Sequence, residues 1–167
     1  MNNILRNFIF IVLLVTIVSS LTSAQIEDPK LIAISGSYFD ANKRVNTAFE
    51  GRIEYRHDKG WWKVRPFAGV MYTTDGGYYI FGGALANFFI GKHFVITPSF
   101  APGYYDKGNG KELYFDLEFR SQLEIAFRFT NGARIGASVG HISNASLGPP
   151  NPGTEYLAGT IAFPVDF

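Results

Sequence analysis

Apolar and polar residues alternate with a period of two along most of this chain, which is the spacing of a β-strand with two unlike faces. The clearest example is the segment ELYFDLEFRSQLEIAFRF, residues 112–129. Its odd-numbered positions are almost all apolar, whereas its even-numbered positions carry the charges. A helix would scatter these charges around its circumference. The pattern therefore predicts a strand with one apolar face and one charged face.

The same alternation predicts eight strands and short or longer connections between them. The predicted strands span residues 30–39, 47–57, 61–72, 77–88, 93–104, 112–129, 133–143 and 155–167. Short connections at 57–60, 89–92 and 130–132 alternate with connections at 40–46, 73–76, 105–111 and 144–154, three of which are longer. In an up-and-down meander, the short turns lie at one end and the longer loops at the other. The sequence thus predicts an all-β fold, an eight-stranded antiparallel up-and-down barrel.

The alternation alone is compatible with two barrels of opposite orientation. A soluble, lipocalin-like barrel would hold an apolar ligand inside, whereas a transmembrane barrel turns its apolar face to lipid. Aromatic residues cluster near the predicted strand ends, as the girdles of membrane barrels do; they are Trp61, Trp62, Tyr72, Tyr78, Tyr79, Tyr104 and Tyr105. The last predicted strand also ends in an aromatic residue, Phe167. These features favour the transmembrane barrel, with the soluble binder as the alternative.

The N-terminal residues 1–24 have the layout of a secretory signal peptide. Arg6 precedes an apolar run from residue 8 to residue 18, and small residues follow up to Ala24. The run is shorter than the roughly 20 apolar residues that span a bilayer as a helix. We therefore expect cleavage after Ala24, export, and an outer-membrane barrel domain of residues 25–167.

Composition and charge limit the kinds of partner that we expect and indicate how the fold is stabilised. The chain has no cysteine, and without Arg6 it carries 14 basic and 14 acidic residues. A balanced charge gives no electrostatic reason to expect a nucleic-acid partner. A closed barrel pairs its backbone groups within the sheet, so it needs no disulfides in the membrane.

A histidine, a serine and a carboxylate lie close together near the end of the chain. His141 and Ser143 continue the outward apolar row of the seventh predicted strand, and Glu155 begins the corresponding row of the eighth. A hairpin that pairs 141 with 155 would place Glu155 directly across from His141. Such a set can serve as nucleophile, general base and orienting acid. The pattern H-x-S is common in sequences and by itself means little. The alternative is therefore a non-catalytic structural or adhesive barrel.

The residues around this set resemble those of a known family. The sequence HISNA at 141–145, followed by NPG at 151–153 and by Glu155, resembles the signature of PagL-type lipid A 3-O-deacylases. Proteins of that family are serine esterases built on eight-stranded outer-membrane barrels. The chain departs from the family pattern at Ser146, where a small residue, often glycine, is expected.

The resemblance implies a role for five residues. His141, Ser143 and Glu155 would form the catalytic triad, and Asn144 and Asn151 would shape the active site or its oxyanion hole. It implies removal of an ester-linked acyl chain from lipid A in the bacterial outer membrane, with the triad facing the outer leaflet. It implies no metal and no organic cofactor, and a homo-oligomer is compatible with it.

Overall fold

A computed structural model describes residues 28–42, 44 and 46–167. Within these residues the chain forms nine strand segments: β1 (Leu31–Phe39), β2 (Ala48–Arg56), β3 (Val64–Thr73), β4 (Tyr78–Ala86), β5 (Phe88–Ile90), β6 (Phe94–Asp106), β7 (Leu117–Arg128), β8 (Arg134–Ser143) and β9 (Thr154–Pro164). The predicted signal peptide, residues 1–24, lies outside the described residues. No helix in the described part of the chain is long and apolar enough to cross a membrane.

The strands form one antiparallel sheet that closes on itself. The order is β4-β3-β2-β1-β9-β8-β7-β6-β5, and β4 also pairs with β6. β5 continues the register of β4 along β6, so β4 and β5 together make one of eight barrel strands. The pairing of this strand with β6 is interrupted where Ala86 lies opposite Pro98, because proline has no N–H to donate to the ladder. The eight-stranded antiparallel barrel predicted from the sequence is confirmed, and its closure leaves no sheet edge unpaired.

The side chains of the barrel are arranged opposite to those of a soluble protein. Ile53, Leu123 and Val139 are 52%, 46% and 56% exposed on the outer wall, whereas Arg52 and Arg120 are fully enclosed. Apolar side chains outside and charged side chains inside are the pattern of a transmembrane barrel. The soluble, lipocalin-like alternative is therefore wrong.

Charged side chains fill the lumen and pair with one another. Arg56 Nη2 lies 2.8 Å from Glu54 and 2.7 Å from Glu124, and Arg120 Nη2 lies 2.7 Å from Glu54. Burial of a charge without a partner is strongly unfavourable, so these pairs are what allows the lumen to be charged. The network joins β2 to β7 across the inside of the barrel.

The connections separate into two ends of the barrel. The connections 40–47, 74–77, 107–116 and 144–153 lie at one end, which we call the loop end. The connections 57–63, 91–93 and 129–133 lie at the other, which we call the turn end. The first turn is longer than predicted because β3 begins at Val64, so Trp61 and Trp62 belong to the turn.

Two predicted features of the barrel wall are wrong. The alternation predicts that the sixth strand begins at residue 112, but β7 begins at Leu117, and Leu113 is buried in the core cluster instead of facing lipid. The connection turns inward here, where Tyr114 has a φ of +75° and the Tyr105 hydroxyl donates to the Lys111 carbonyl at 2.8 Å. Tyr79 and Tyr105 were expected in the aromatic girdle but point into the lumen.

The depth of a position on the outer wall should decide the cost of placing a charge there. Leu123 and Leu117 lie on the same face of β7 and are 46% and 47% exposed, but Leu123 is at mid-strand and Leu117 opens the strand. We expect Leu123→Arg to destabilise the barrel, lowering its free energy of unfolding by about 2–4 kcal/mol. Leu117→Arg should lower it by only about 0–1 kcal/mol. Folding titrations in lipid vesicles measure both, and equal losses would contradict the assigned depth.

Candidate active site

His141 and Glu155 face each other on two neighbouring strands at the loop end. The register of β8 and β9 pairs position 141 with position 155, as predicted. His141 Nδ1 lies 3.3 Å from Glu155 Oε1, and the two side chains are 44% and 33% exposed. Their neighbours Ile142 and Tyr156 are buried on the opposite face. The imidazole and the carboxylate therefore stand on the outer wall of the barrel.

The ring of His141 leans toward β9 and upward to the level of Ser143. Its Cε1 and Nε2 atoms face Gly153, since a Cβ built on Gly153 would lie 2.6 Å and 3.2 Å from them. Continuing the β8–β9 register by one residue places Gly153 level with Ser143. Nε2, the ring nitrogen that does not face Glu155, thus lies beside Gly153, at the level of Ser143.

A second serine beside His141, Ser121, was not predicted from the sequence. The β7–β8 register pairs Ser121 with His141 on the side opposite Glu155, so the three residues stand in one row across three strands. No spacing rule reveals this neighbour, because only the register of β7 brings it beside the histidine. The ring of His141 leans away from β7, which makes Ser143 the better candidate for the nucleophile.

Asn144 organises the connection that follows Ser143. It is fully buried, and its Nδ2 donates to the carbonyls of Gly148 and Pro150, each at 3.2 Å. Its Oδ1 accepts the N–H of Ser146 at 2.9 Å. The N–H of Asn144 donates to Asn151 Oδ1 at 3.3 Å. Both amide hydrogens of Asn144 are used within the connection, so its side chain holds the shape of this segment.

Asn151 is placed differently from Asn144. It is exposed, and its Nδ2 has a single long contact of 3.4 Å with Ser146 Oγ. One of its amide hydrogens is therefore available to a bound molecule. Ser146 has a φ of +63° and Ala145 a φ of +51°, a left-handed conformation that favours glycine. The serine found where glycine is expected is thus accommodated with backbone strain.

A groove of about 770 Å³ lies on the outer wall beside His141 and Glu155. Next to this pair toward the turn end, the groove is lined by one row of apolar side chains from β6 to β9: Pro98, Leu123, Val139 and Leu157. At the loop end it reaches the β1–β2 connection. The groove is open along the wall, so an apolar chain in the membrane can enter it from the side.

The β1–β2 connection is fixed to the strand that carries Glu155. The N–H of Ala41 donates to the Glu155 carbonyl at 2.9 Å. The preceding residue, Asp40, is fully buried and pairs with Lys111 Nζ at 2.9 Å. Two loop-end connections therefore support the backbone of Glu155.

The described residues contain no group of three histidine, cysteine, aspartate or glutamate side chains that could hold a metal ion.

Comparison with known proteins places this barrel in a family. Residues 35–164 match the family model described as lipid A 3-O-deacylase (PagL). The fold is similar to the crystal structure of the outer membrane enzyme PagL, with 20% identity, a TM-score of 0.64, and 81% of this chain and 99% of that chain covered. A search of curated proteins gave no match.

Two further structures share the fold alone. A de novo designed transmembrane β-barrel has 9% identity and a TM-score of 0.60, with 86% of this chain and 100% of that chain covered. Neisserial surface protein A (NspA) has 9% identity and a TM-score of 0.56, with 81% of this chain and 96% of that chain covered. The family match, in contrast, runs through the barrel from β1 to the end of β9. The chain therefore belongs to the PagL lipid A 3-O-deacylase family of outer-membrane ester hydrolases.

Proposed function

We propose that this protein removes an ester-linked acyl chain from lipid A with a triad of Ser143, His141 and Glu155. The observation that carries the proposal is the pairing of His141 with Glu155 on the outer wall, beside an apolar groove. A lipid in the membrane can reach a nucleophile on the outer wall of the barrel without entering the lumen. A non-catalytic barrel has no need of a half-exposed histidine and glutamate at that position.

The reaction is the two-step hydrolysis of an ester. Ser143 Oγ attacks the carbonyl carbon while His141 Nε2 takes the hydroxyl proton. The bond from the carbonyl carbon to the sugar oxygen then breaks, and that oxygen receives the proton from His141. Water, activated in the same way, attacks the acyl-serine and releases the fatty acid. Glu155 keeps the Nδ1–H tautomer in place and stabilises the imidazolium.

The oxyanion of each tetrahedral intermediate needs donors that are already in position. We assign this function to the segment that Asn144 and Asn151 hold. Asn144 fixes the backbone after Ser143, because its amide bonds are made within the connection. Asn151 is exposed and has an amide hydrogen to offer. Asn144 is therefore the shaping residue of the two, and Asn151 is the candidate donor.

The substrate reaches this site by lateral diffusion in the membrane. Its acyl chain lies in the apolar groove, with the ester at His141 and the sugar beyond the loop end, in the outer leaflet. All the proposed site residues come from one chain, so a homo-oligomer is compatible with activity but not required for it. Export by cleavage of residues 1–24 after Ala24 would place the barrel in the outer membrane.

Glu155 should contribute less to turnover than the other two members of the triad. It orients and stabilises the imidazole but forms no covalent bond, and the acid is the member whose loss is milder in a comparable triad. We expect Glu155→Ala to lower ester turnover yet leave measurable activity. We also expect Glu155→Asp to recover part of the rate, since the shorter side chain must still reach His141.

Release of fatty acid from purified lipid A by the wild type, His141→Ala, Ser143→Ala and both Glu155 variants tests the proposal. A Glu155→Ala rate equal to that of the wild type would remove the carboxylate from the mechanism. No release by the wild type itself would support a non-catalytic barrel.

A further inference from the structure

Gly153 lies against the catalytic face of His141. It is buried, precedes the first residue of β9 and has a φ of +57°. A Cβ at this position would lie 2.6 Å from His141 Cε1 and 3.2 Å from Nε2. Carbon atoms that are not bonded do not approach to 2.6 Å, so the ring occupies the space that any side chain at 153 would need.

We propose that Gly153 is a positioning residue for the deacylase reaction, because its missing side chain leaves the space in which the imidazole lies. This inference rests on the proposed function of His141. With the ring in that space, Nδ1 faces Glu155 and Nε2 is directed to the level of Ser143. Gly153 touches neither the substrate nor the reacting atoms, and it acts through the histidine.

Two separate properties favour glycine at position 153. The positive φ is one, but Asn or Asp would also tolerate it. The other is the absence of a Cβ. Of the two properties, only this one concerns catalysis, because it leaves space for the ring of His141. The atom that a Cβ would strike is at the tip of a side chain, so rotation of the imidazole relieves the clash at little cost in stability. Rotation takes the ring away from Glu155, and away from the end of β8 where Ser143 lies.

Other glycines of the chain separate these two properties. Gly159 lies in β9, the strand that Gly153 precedes, and on its outward face, and a Cβ there would meet nothing within 4 Å. Gly91 has a φ of +61°, nearly that of Gly153, and also has open space around it. Gly159→Ala therefore controls for an added methyl group on the outer wall. Gly91→Ala controls for backbone strain.

Gly153→Ala should lower kcat by about 100-fold, the typical effect of displacing a catalytic group by about 1 Å. KM should change little, because the apolar side chains that line the groove are untouched. Labelling of Ser143 by a lipophilic phosphonate, which reports activation of the nucleophile without the natural substrate, should slow in parallel. Gly159→Ala and Gly91→Ala should both stay within about twofold of the wild type.

A measurement on the wild type tests the geometry without depending on how the variant folds. Nuclear Overhauser contacts should join His141 Hε1 to an α-proton of Gly153 in the barrel reconstituted in nanodiscs. Absence of that contact would overturn the inference, as would Gly153→Ala turnover as fast as that of Gly91→Ala. Ser143→Ala in the same assay separates the two claims. An active Ser143→Ala enzyme would refute the proposed triad, whereas an inactive one beside a fully active Gly153→Ala enzyme would refute only the role of Gly153.

Discussion

Replacing Ser143 by alanine is expected to lower ester turnover by about 10⁴-fold or more, as loss of the nucleophile does in a serine hydrolase. The side chain is half-buried at the last position of β8, so removal of one hydroxyl disturbs little packing. Release of fatty acid by the purified variant measures the loss. Retention of the compact, heat-modifiable form on gels verifies that the barrel has folded.

Ser121→Ala is the matched control for that change. Ser121 is also a serine beside His141 and lines the groove, but the ring leans away from it. We expect this variant to keep turnover within about tenfold of the wild type, the size of one lost hydrogen bond. The reverse order, with Ser121→Ala inactive and Ser143→Ala active, would transfer the role of nucleophile to β7.

Replacing Glu54 by alanine is expected to destabilise the barrel by about 3–5 kcal/mol, the cost of removing one partner from a buried ion pair. The Glu54 carboxylate lies 2.7 Å from Arg120, 2.8 Å from Arg56 and 3.4 Å from Arg52, and all four side chains are almost completely buried. Its loss leaves three guanidinium groups with too few carboxylates in the lumen. Urea titrations of folding into lipid vesicles measure the change.

Glu112→Ala serves as the control for Glu54→Ala. Glu112 also pairs with a cation, Lys107, but both side chains are about half exposed at the loop end. Exposed pairs contribute about 1 kcal/mol or less. If the two variants lose equal stability, the lumen pairs do not support the barrel as we describe.

Much of the barrel could be predicted from the sequence because one physical constraint acts along every strand. Lipid outside and a polar lumen inside impose alternation at each position, as in the run from Leu117 to Phe127. The pairing of His141 with Glu155 was also accessible, since both residues belong to one hairpin whose outward rows can be read directly.

The parts that could not be predicted depend on contacts between distant segments. Tyr79 and Tyr105 each stand beside another tyrosine, so composition alone does not say which member of the pair faces the lumen. Leu113 follows the alternation of the strand but turns inward with the connection before it. The position of Ser121 opposite His141 is set by the register of β7.

The space that Gly153 leaves for the imidazole could not be predicted either, although Gly153 and His141 belong to one hairpin. Its motif, NPG, reads as an ordinary loop in the sequence. The contact becomes visible only when the ring of His141 is placed between the two strands. The catalytic types of residue were therefore predictable, whereas the residues that orient them were not.

Mass spectrometry of lipid A from bacteria that produce this protein tests the central claim most directly. The account predicts lipid A that lacks one ester-linked acyl chain in cells with the wild-type protein. It predicts unchanged lipid A in cells with an equal amount of folded Ser143→Ala protein in the outer membrane. Identical lipid A in both strains, or loss of the acyl chain with the alanine variant, would contradict it.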